Sequence, residues 1–217
     1  MSEIASHTYS HPRMQLTGLP DGYTPLTLEQ CQEDITRGRS ELEAIFNNAP
    51  MRGLAWPYGN PRRDDLTEWI AGTGVVYIRP TETTGNFDIP TNWLDWRTTC
   101  HHNALPTFGP RFLEQPDDGG LKLLAVWGHS YEFDKDPNAS TPRPNDTWNI
   151  IEDFAAQVKG RDDIWKATNI EVYDYIQALD GLEITQTYVK NNSDRIAVNI
   201  MVNGKKAVIE PGMTYRP

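Results

Sequence analysis

The hydrophobic residues along the chain alternate between a helical period and short extended runs. From Leu26 to Phe46 apolar residues recur every three or four positions, and Thr27 with Gln30 has the spacing of a capping box. This pattern predicts an amphipathic helix. Three apolar runs have the length of buried strands, namely residues 51–56, 75–79 and 121–127. The last run is the most strongly apolar, which is typical of a central strand covered on both faces.

Helical patterns alternate with these runs along most of the chain. Helices are predicted at 64–71, 108–114 and 148–158 and from Asn169, and further strands at 96–102 and 163–168. The order gives about six β/α steps and predicts parallel βαβ units with helices outside an inner sheet. A proline-rich stretch at 136–145 is predicted to be a surface loop at the rim. From Leu182 the apolar residues alternate, and Asn203-Gly204 predicts a hairpin turn, so a small antiparallel appendage follows.

Composition narrows the classes of partner. The chain of 217 residues has 20 Lys and Arg against 30 Asp and Glu, a formal charge of −10 that would repel a nucleic acid backbone. A polyanionic glycan is also disfavoured unless a metal or a local basic patch lines the cleft. Cys31 and Cys100 are predicted to be free thiols. No apolar stretch resembles a leader or a membrane span, so we expect a cytoplasmic protein as given, or an exported homologue whose leader is not in this sequence.

Candidate chemistry begins almost at the amino terminus, with His7 and His11. Two imidazoles four positions apart can converge on one cation when they share a tight turn or a helical turn. Pro12 closes this segment, and the neighbouring hydroxyl residues Ser6, Thr8 and Ser10 could hold the ring tautomers. The alternative interpretation is a pair of half-exposed turn histidines without a ligand.

Three segments in order resemble the polysaccharide deacetylases of carbohydrate esterase family 4, the NodB-homology enzymes. They are the metal motif at 4–12, the strand and turn at 52–59 that resembles R-x-P-Y-G, and the late strand at 123–130 that ends in a histidine. The segments at 99–102 and 126–133 look most like the branch grouped with gellan lyase. The resemblance covers about residues 3 to 180.

Two features of that family have no counterpart here. The family usually opens with T-F-D-D-G, which supplies the catalytic base and the third metal ligand, whereas this sequence begins where the second motif begins. Ala55 occupies the position of the arginine that orients the base. The resemblance therefore implies an α/β fold, an incomplete (β/α) barrel of about six parallel strands. We assign residues 1–181 to an N-terminally truncated NodB-like domain and 182–217 to the antiparallel β appendage.

The resemblance implies a divalent metal, with Zn as the first choice, on His7 and His11. His101 or His102, Glu132 or water would complete the shell, and only one of the adjacent histidines should face the first pair because strand neighbours point to opposite faces. His129 would protonate the leaving group, as the corresponding histidine of the family does. Glu132 is the best stand-in for the missing base.

Three functions stay open from the sequence. The leading hypothesis is metal-dependent hydrolysis of acyl groups on a carbohydrate, with the substrate contacts Trp56, Tyr58, Trp93, Trp96, Arg97 and Tyr131. A gellan-type lyase would use the metal or Arg97 to neutralise a uronate and His129 or Tyr131 as base. A degenerate relative would bind glycan without turnover. We also expect a second copy of the chain, or the C-terminal hairpin, to cover the open barrel edge.

Overall fold

The computed structural model describes residues 2–116, 118–133 and 147–217. The predicted rim loop at 136–145 lies outside these residues. The chain forms two compact units, one of residues Ile4–Trp165 and one of Lys166–Pro217 with the extreme amino terminus. The domain boundary predicted after residue 181 stays a prediction.

The larger unit contains four helices and four short strands among its described residues. The helices are α1 (Leu28–Ile45), α2 (Asp64–Ala71), α3 (Leu105–Leu113) and α4 (Trp148–Val158). The strands are β1 (Gly53–Ala55), β2 (Tyr77–Arg79), β3 (Cys100–His101) and β4 (Val126–Trp127). Thr27 and Gln30 form the capping box at the start of α1, as the sequence predicted.

Parallel pairing follows chain order through this unit. Ser6 bridges to Leu54 of β1, β1 pairs with β2, and β3 pairs with β4, all in parallel. The Trp96 amide donates to the Ile78 carbonyl at 2.9 Å, which links β2 to the segment that leads into β3. The described segments do not close into a barrel, and the incomplete barrel of about six strands stays a prediction.

The strand predicted at 163–168 does not form in the structure. Residues 162–163 lie in a turn, and the guanidinium of Arg161 binds the carboxylate of Asp163 across it. Consecutive charged residues favour a solvated turn over a buried strand.

The core of the larger unit lies between the two first helices and the first two strands. Buried residues of α1, α2, β1 and β2 pack together, including Cys31, Ile35, Leu54, Leu66, Ile70 and Ile78. Because side chains alternate along a strand, Leu54 and Ile78 point into this core, and their neighbours Ala55 and Arg79 point to the opposite face. The carboxyl ends of the strands thereby present Ala55 and Arg79 side by side.

The smaller unit is built on α5 (Asn169–Asp180) and antiparallel strands. β5 (Glu183–Ile184), β6 (Val189–Lys190) and β9 (Thr214–Tyr215) form one sheet, and β7 (Val198–Val202) with β8 (Lys205–Ile209) forms a hairpin. Asn203 and Gly204 make its turn with positive φ angles. Ala178 of α5 packs with Val198 and Ile209, which explains why α5 belongs here. None of the described helices is long and apolar enough to cross a membrane.

Candidate active site at the carboxyl ends of the parallel strands

All five histidines of the sequence follow the carboxyl ends of the parallel segments of the larger unit. His7 follows the Ser6 bridge, His101 ends β3, and His129 comes two residues after β4. Catalytic residues of α/β proteins concentrate at this end of the sheet because the loops there converge. The histidines form two groups that are built differently.

The first group is the turn at residues 7–11, which rests on α1. The amides of Tyr9 and Ser10 donate to the carboxylate of Asp34 at 2.9 and 3.2 Å, and the Ser10 hydroxyl donates to the same group. Gly38 allows the turn to lie directly against α1, because a Cβ at this position would be 2.5 Å from the carbonyl carbon of Thr8. The helix thus fixes the backbone of the turn through the hydrogen bonds of Asp34 and through the space that Gly38 leaves by having no Cβ.

Two residues of this turn adopt the left-handed backbone region. Thr8 has a φ of 68° and His11 a φ of 55°, and both carry a Cβ that makes this conformation unfavourable. The Thr8 hydroxyl accepts from the His11 amide at 3.2 Å and closes the turn. Such conformations persist where surrounding contacts fix them, and they concentrate at functional sites.

The turn brings the rings of His7 and His11 together, with centroids 4.7 Å apart in an edge-on arrangement. The Nδ1 of His7 lies 2.8 Å from the Ala55 carbonyl, which can only accept, so Nδ1 carries the proton and Nε2 offers its lone pair. Partial desolvation of the ring, with the nearby positive charges of His11, Arg79 and His129, lowers the pKa of His7. His7 therefore stays neutral near pH 7 with a free ligand atom.

The second group surrounds one oxygen of the buried Glu132. Oε2 lies 3.1 Å from Nε2 of His101, 3.0 Å from Nδ1 of His129 and 3.7 Å from Nδ1 of His102. Burial by itself would raise the pKa of Glu132, but the hydrogen bond from His129 and the positive charges of His101 and His129 lower it to about 2. The carboxylate is therefore ionised and accepts from its neighbours.

His101 and His102 both face this carboxylate, which differs from the alternation predicted from the sequence. The strand β3 ends at His101, and His102 begins a 3₁₀ turn, so the period of two does not apply between them. Their ring centroids are 4.0 Å apart. Gly128 makes room for His102, because a Cβ there would lie 2.1 Å from its Nδ1.

Residues 2–78 match the family model described as polysaccharide deacetylase. The matched segment contains His7, His11 and Tyr58 and ends before the Glu132 cluster. It supports a relationship to the NodB-homology superfamily and a deacetylase-like, carbohydrate-active function. No curated protein and no solved structure gave a significant match.

Two sets of side chains fit a metal ion in different ways. Within the described residues, His101, His102 and Glu132 bring one ligand atom each to within 4.8 Å of one another, a His₂Glu set of the kind that holds catalytic zinc. However, the Asn103 amide points at Nδ1 of His101, which places the proton on Nε2 towards Glu132. His7 has the opposite tautomer, with Nε2 free for a ligand. The structure thus leaves His7 and His11 as a separate pair from the predicted third ligands.

The six predicted sugar contacts divide by exposure. Tyr58 and Tyr131 are 49% and 63% exposed, and Trp93 is half-buried, so these rings can be reached from solvent. Trp56 and Trp96 are only 4% and 2% exposed and pack in the interior, Trp96 against Tyr77 and Trp93. Arg97 is exposed but binds the carboxylate of Asp95 at 2.9 Å.

Sequence reasoning missed two residues at the centre of this face. Trp127 ends β4, and its ring lies 4.5 Å from that of His101 and 5.7 Å from that of His129. Arg79 ends β2, and its guanidinium lies 5.4 Å from the Trp127 ring centroid. The position of Arg79 after an apolar run was the available signal, since polar residues directly after a buried strand point to a site.

Proposed function

We propose that the protein is a metal-dependent hydrolase that removes acyl groups from a glycan, related to the gellan-lyase-like branch of the polysaccharide deacetylases. The observation that carries the proposal is the geometry of His7, whose Nδ1 is bound to the Ala55 carbonyl, which leaves the lone pair on Nε2, and whose ring lies 4.7 Å from that of His11. This pair lies inside the segment that matches the deacetylase family. The backbone of the turn is fixed by α1, so the two rings are positioned in advance.

The imidazole nitrogens of His7 and His11 suit Zn²⁺, with water and substrate completing the shell. When bound, such an ion polarises the acyl carbonyl and lowers the pKa of bound water to about 7. The carbonyl of Ala55 fixes the His7 tautomer, and Tyr58 packs its ring against His11 at 4.7 Å. Buried or backbone partners of this type hold a metal ligand in its orientation.

His129 is the residue that we assign to protonation of the leaving sugar oxygen or nitrogen. Its Nδ1–H donates to Glu132, so Nε2 faces away from the cluster, and the side chain is 42% exposed. An ionised carboxylate behind an imidazole orients the ring and stabilises its protonated form. We therefore assign Glu132 to positioning rather than to the role of base, because a carboxylate with a pKa of about 2 is a weak base near pH 7.

Elimination by a lyase is the second candidate function, and the contact between Tyr131 and His129 favours it. The ring of Tyr131 stacks on His129, with centroids 4.9 Å apart and an angle of 29°. A phenol beside an imidazole supplies the two groups that could remove the C5 proton of a uronate and protonate the leaving oxygen. The product would contain an unsaturated uronate that absorbs ultraviolet light, whereas hydrolysis releases acetate.

The test measures acetate release from acetylated oligosaccharides, together with ultraviolet absorbance of uronate polymers. For His129→Ala we expect kcat for acetate release to fall about 10²- to 10⁴-fold, with the metal content unchanged. Gln157→Ala on the exposed face of α4 serves as the surface control. Full acetate release by His129→Ala would contradict the assigned role. An absorbing product without acetate would replace the hydrolase by a lyase, and binding without either product would leave a glycan-binding relative.

A further inference from the structure

Arg79 is a half-buried cation of the candidate site. It ends β2, and in the register of the parallel pair its backbone is the partner of Ala55. Its Nη1 donates to the carbonyl of Pro80 at 3.4 Å. Across the part of the chain that the structure describes, no Asp or Glu lies within ion-pair distance of this guanidinium.

Two other arginines of the same unit, the buried Arg63 and the half-buried Arg39, have carboxylate partners. Arg63 is 4% exposed and binds Asp65 at 2.8 Å as well as the Leu26 carbonyl. Arg39 lies 3.6 Å from Glu43 and donates to the Thr73 carbonyl. A buried charged side chain usually has an oppositely charged partner, because a buried charge without one destabilises the fold. Burial lowers the pKa of Arg79, which is the expected effect of taking the cation out of water.

The guanidinium faces the same space as the site residues. Its positive charge is one of the causes that lower the pKa of His7. Its Cζ lies 5.4 Å from the ring centroid of Trp127, which in turn contacts His101 and His129. The small side chain of Ala55 points to the same face of the parallel pair, so it does not cover the guanidinium. Arg79 is therefore close to Trp127, which contacts His101 and His129, and its backbone pairs with Ala55, whose carbonyl binds His7.

We infer that Arg79 binds a carboxylate of the ligand, which makes the substrate an acidic glycan with uronic acid residues. This inference deepens the proposed function and rests on it. A planar guanidinium binds a carboxylate through two parallel hydrogen bonds, and such charge-assisted bonds are among the strongest in proteins. The chain as a whole carries a charge of −10, so a polyanion can bind only where local cations face it.

Arg79 suits this role better than Arg97, the arginine predicted from the sequence. Arg97 already holds Asp95 through two contacts of 2.9 and 3.0 Å and is exposed to solvent. A ligand carboxylate would have to compete with that intramolecular partner. The acetate released by hydrolysis also carries a carboxylate, as a uronate does. The experiment therefore tests acetate and an acidic glycan separately.

The test is calorimetric titration of the full chain, with and without chelator, using three probes. These are a β-1,4-linked glucuronic acid trisaccharide, its neutral counterpart cellotriose, and sodium acetate. For the wild type at low salt we expect the acidic trisaccharide to bind about tenfold or more tightly than cellotriose. Arg79→Gln should abolish this preference. Arg79→Lys should retain part of it, because lysine keeps the positive charge but lacks the two parallel N–H donors of the guanidinium.

Two control variants accompany Arg79→Gln. Arg195→Gln in the smaller unit removes an exposed arginine that lies 3.5 Å from Asp194, and it should leave the preference unchanged. Arg97→Gln should also keep it. The midpoint of thermal unfolding of Arg79→Gln should equal or exceed that of the wild type, because the burial of an uncompensated charge is removed. A structural role for Arg79 would instead lower the midpoint.

Several results would overturn the inference. They are equal affinities for the two trisaccharides, a preference that survives in Arg79→Gln, or a loss of the preference in Arg97→Gln alone. Binding of acetate that depends on Arg79, without binding of the acidic trisaccharide, would also overturn the inference, because it would assign the carboxylate site to the released acid. Acetate release from neutral acetylated oligosaccharides is measured in parallel. Release without a uronate preference contradicts this inference alone, whereas binding through Arg79 without acetate release contradicts the proposed function alone.

Discussion

The two histidine groups of the larger unit lie at the same end of the sheet but are held in opposite ways. The His7–His11 turn is held by its backbone, through Asp34 and the close approach at Gly38, and the ring nitrogen Nε2 of His7 is left available. The Glu132 cluster is held through its side chains, with one carboxylate oxygen near three imidazoles.

This contrast separates the histidines that suit a metal from those that suit proton transfer. A histidine that donates Nδ1–H to a backbone carbonyl presents a lone pair on Nε2, as metal ligands require. A histidine that donates to an ionised carboxylate is oriented and stabilised in its protonated form, as a general acid requires. The number of neighbouring ligand atoms alone would favour the Glu132 cluster as the metal site. The hydrogen bonds, which fix the tautomers of His7 and His101, favour the turn at residues 7–11 instead.

Gly38→Ala is expected to disturb the turn most strongly. An alanine normally stabilises a helix by about 1 kcal/mol relative to glycine. Here the added Cβ would lie 2.5 Å from the Thr8 carbonyl carbon and must displace backbone. We expect a net loss of about 1–3 kcal/mol in the free energy of unfolding, measured by urea denaturation. Metal affinity, measured by competition with a chelator, should fall at least about tenfold.

The matched control for this change is Gly72→Ala at the end of α2. A Cβ there meets only the Trp69 carbonyl oxygen, at an ordinary 3.5 Å. It should change stability by less than about 1 kcal/mol and leave the metal affinity as in the wild type. If Gly38→Ala were as stable as the wild type and bound metal equally well, α1 would not be what positions the two rings.

Glu132→Gln tests the other group through the pH dependence of stability. The folded pKa of Glu132 is about 2, below the value of about 4.3 expected in the unfolded chain. The unfolded state therefore binds the proton more readily. The resulting stabilisation is fully present above about pH 4.3 and is lost as the pH falls through about 2.

Between about pH 5 and pH 2 we expect the free energy of unfolding of the wild type to fall by about 1–3 kcal/mol more than that of Glu132→Gln. Chemical denaturation at a series of pH values measures the two slopes. Glu68→Gln, an exposed change on α2, should reproduce the wild-type slope. Parallel slopes for the wild type and Glu132→Gln would mean that the imidazoles do not hold this carboxylate ionised.

Asp34→Ala should have the smallest effect of the three changes. It removes the acceptor for the amides of Tyr9 and Ser10 and for the Ser10 hydroxyl, but these contacts are exposed and water can replace them. We expect a loss of about 1 kcal/mol in the free energy of unfolding. Glu33→Ala, one residue earlier on the same helix and exposed, is the control. Equal stabilities of the two variants would show that Asp34 does not anchor the turn.

Local sequence signals predicted the helices well. The capping box at Thr27 and Gln30, the helix at 64–71 and the helix at 148–158 are confirmed within a residue or two. The turn at Asn203-Gly204 is also confirmed. These features depend on neighbours in sequence, such as caps, apolar periodicity and residues that accept positive φ.

Features that depend on tertiary contacts could not be predicted in the same way. The orientation of His102 depends on where β3 ends and on the missing side chain of Gly128, which lies 26 residues further along the chain. The burial of Trp96 depends on its packing against Tyr77. The position of Arg79 after an apolar run was visible in the sequence, but whether a carboxylate pairs with it depends on the positions of the surrounding side chains. No periodicity in the sequence contains that information.

The most direct test of the central claim is the metal content of protein purified without chelator. The comparison needs the wild type, a His7→Ala/His11→Ala double variant, and a His101→Ala/Glu132→Gln double variant. We expect close to one divalent ion per chain in the wild type and in the second variant, and loss of the ion in the first. Loss of the ion in the second variant with full retention in the first would place the metal on the Glu132 cluster and contradict the account.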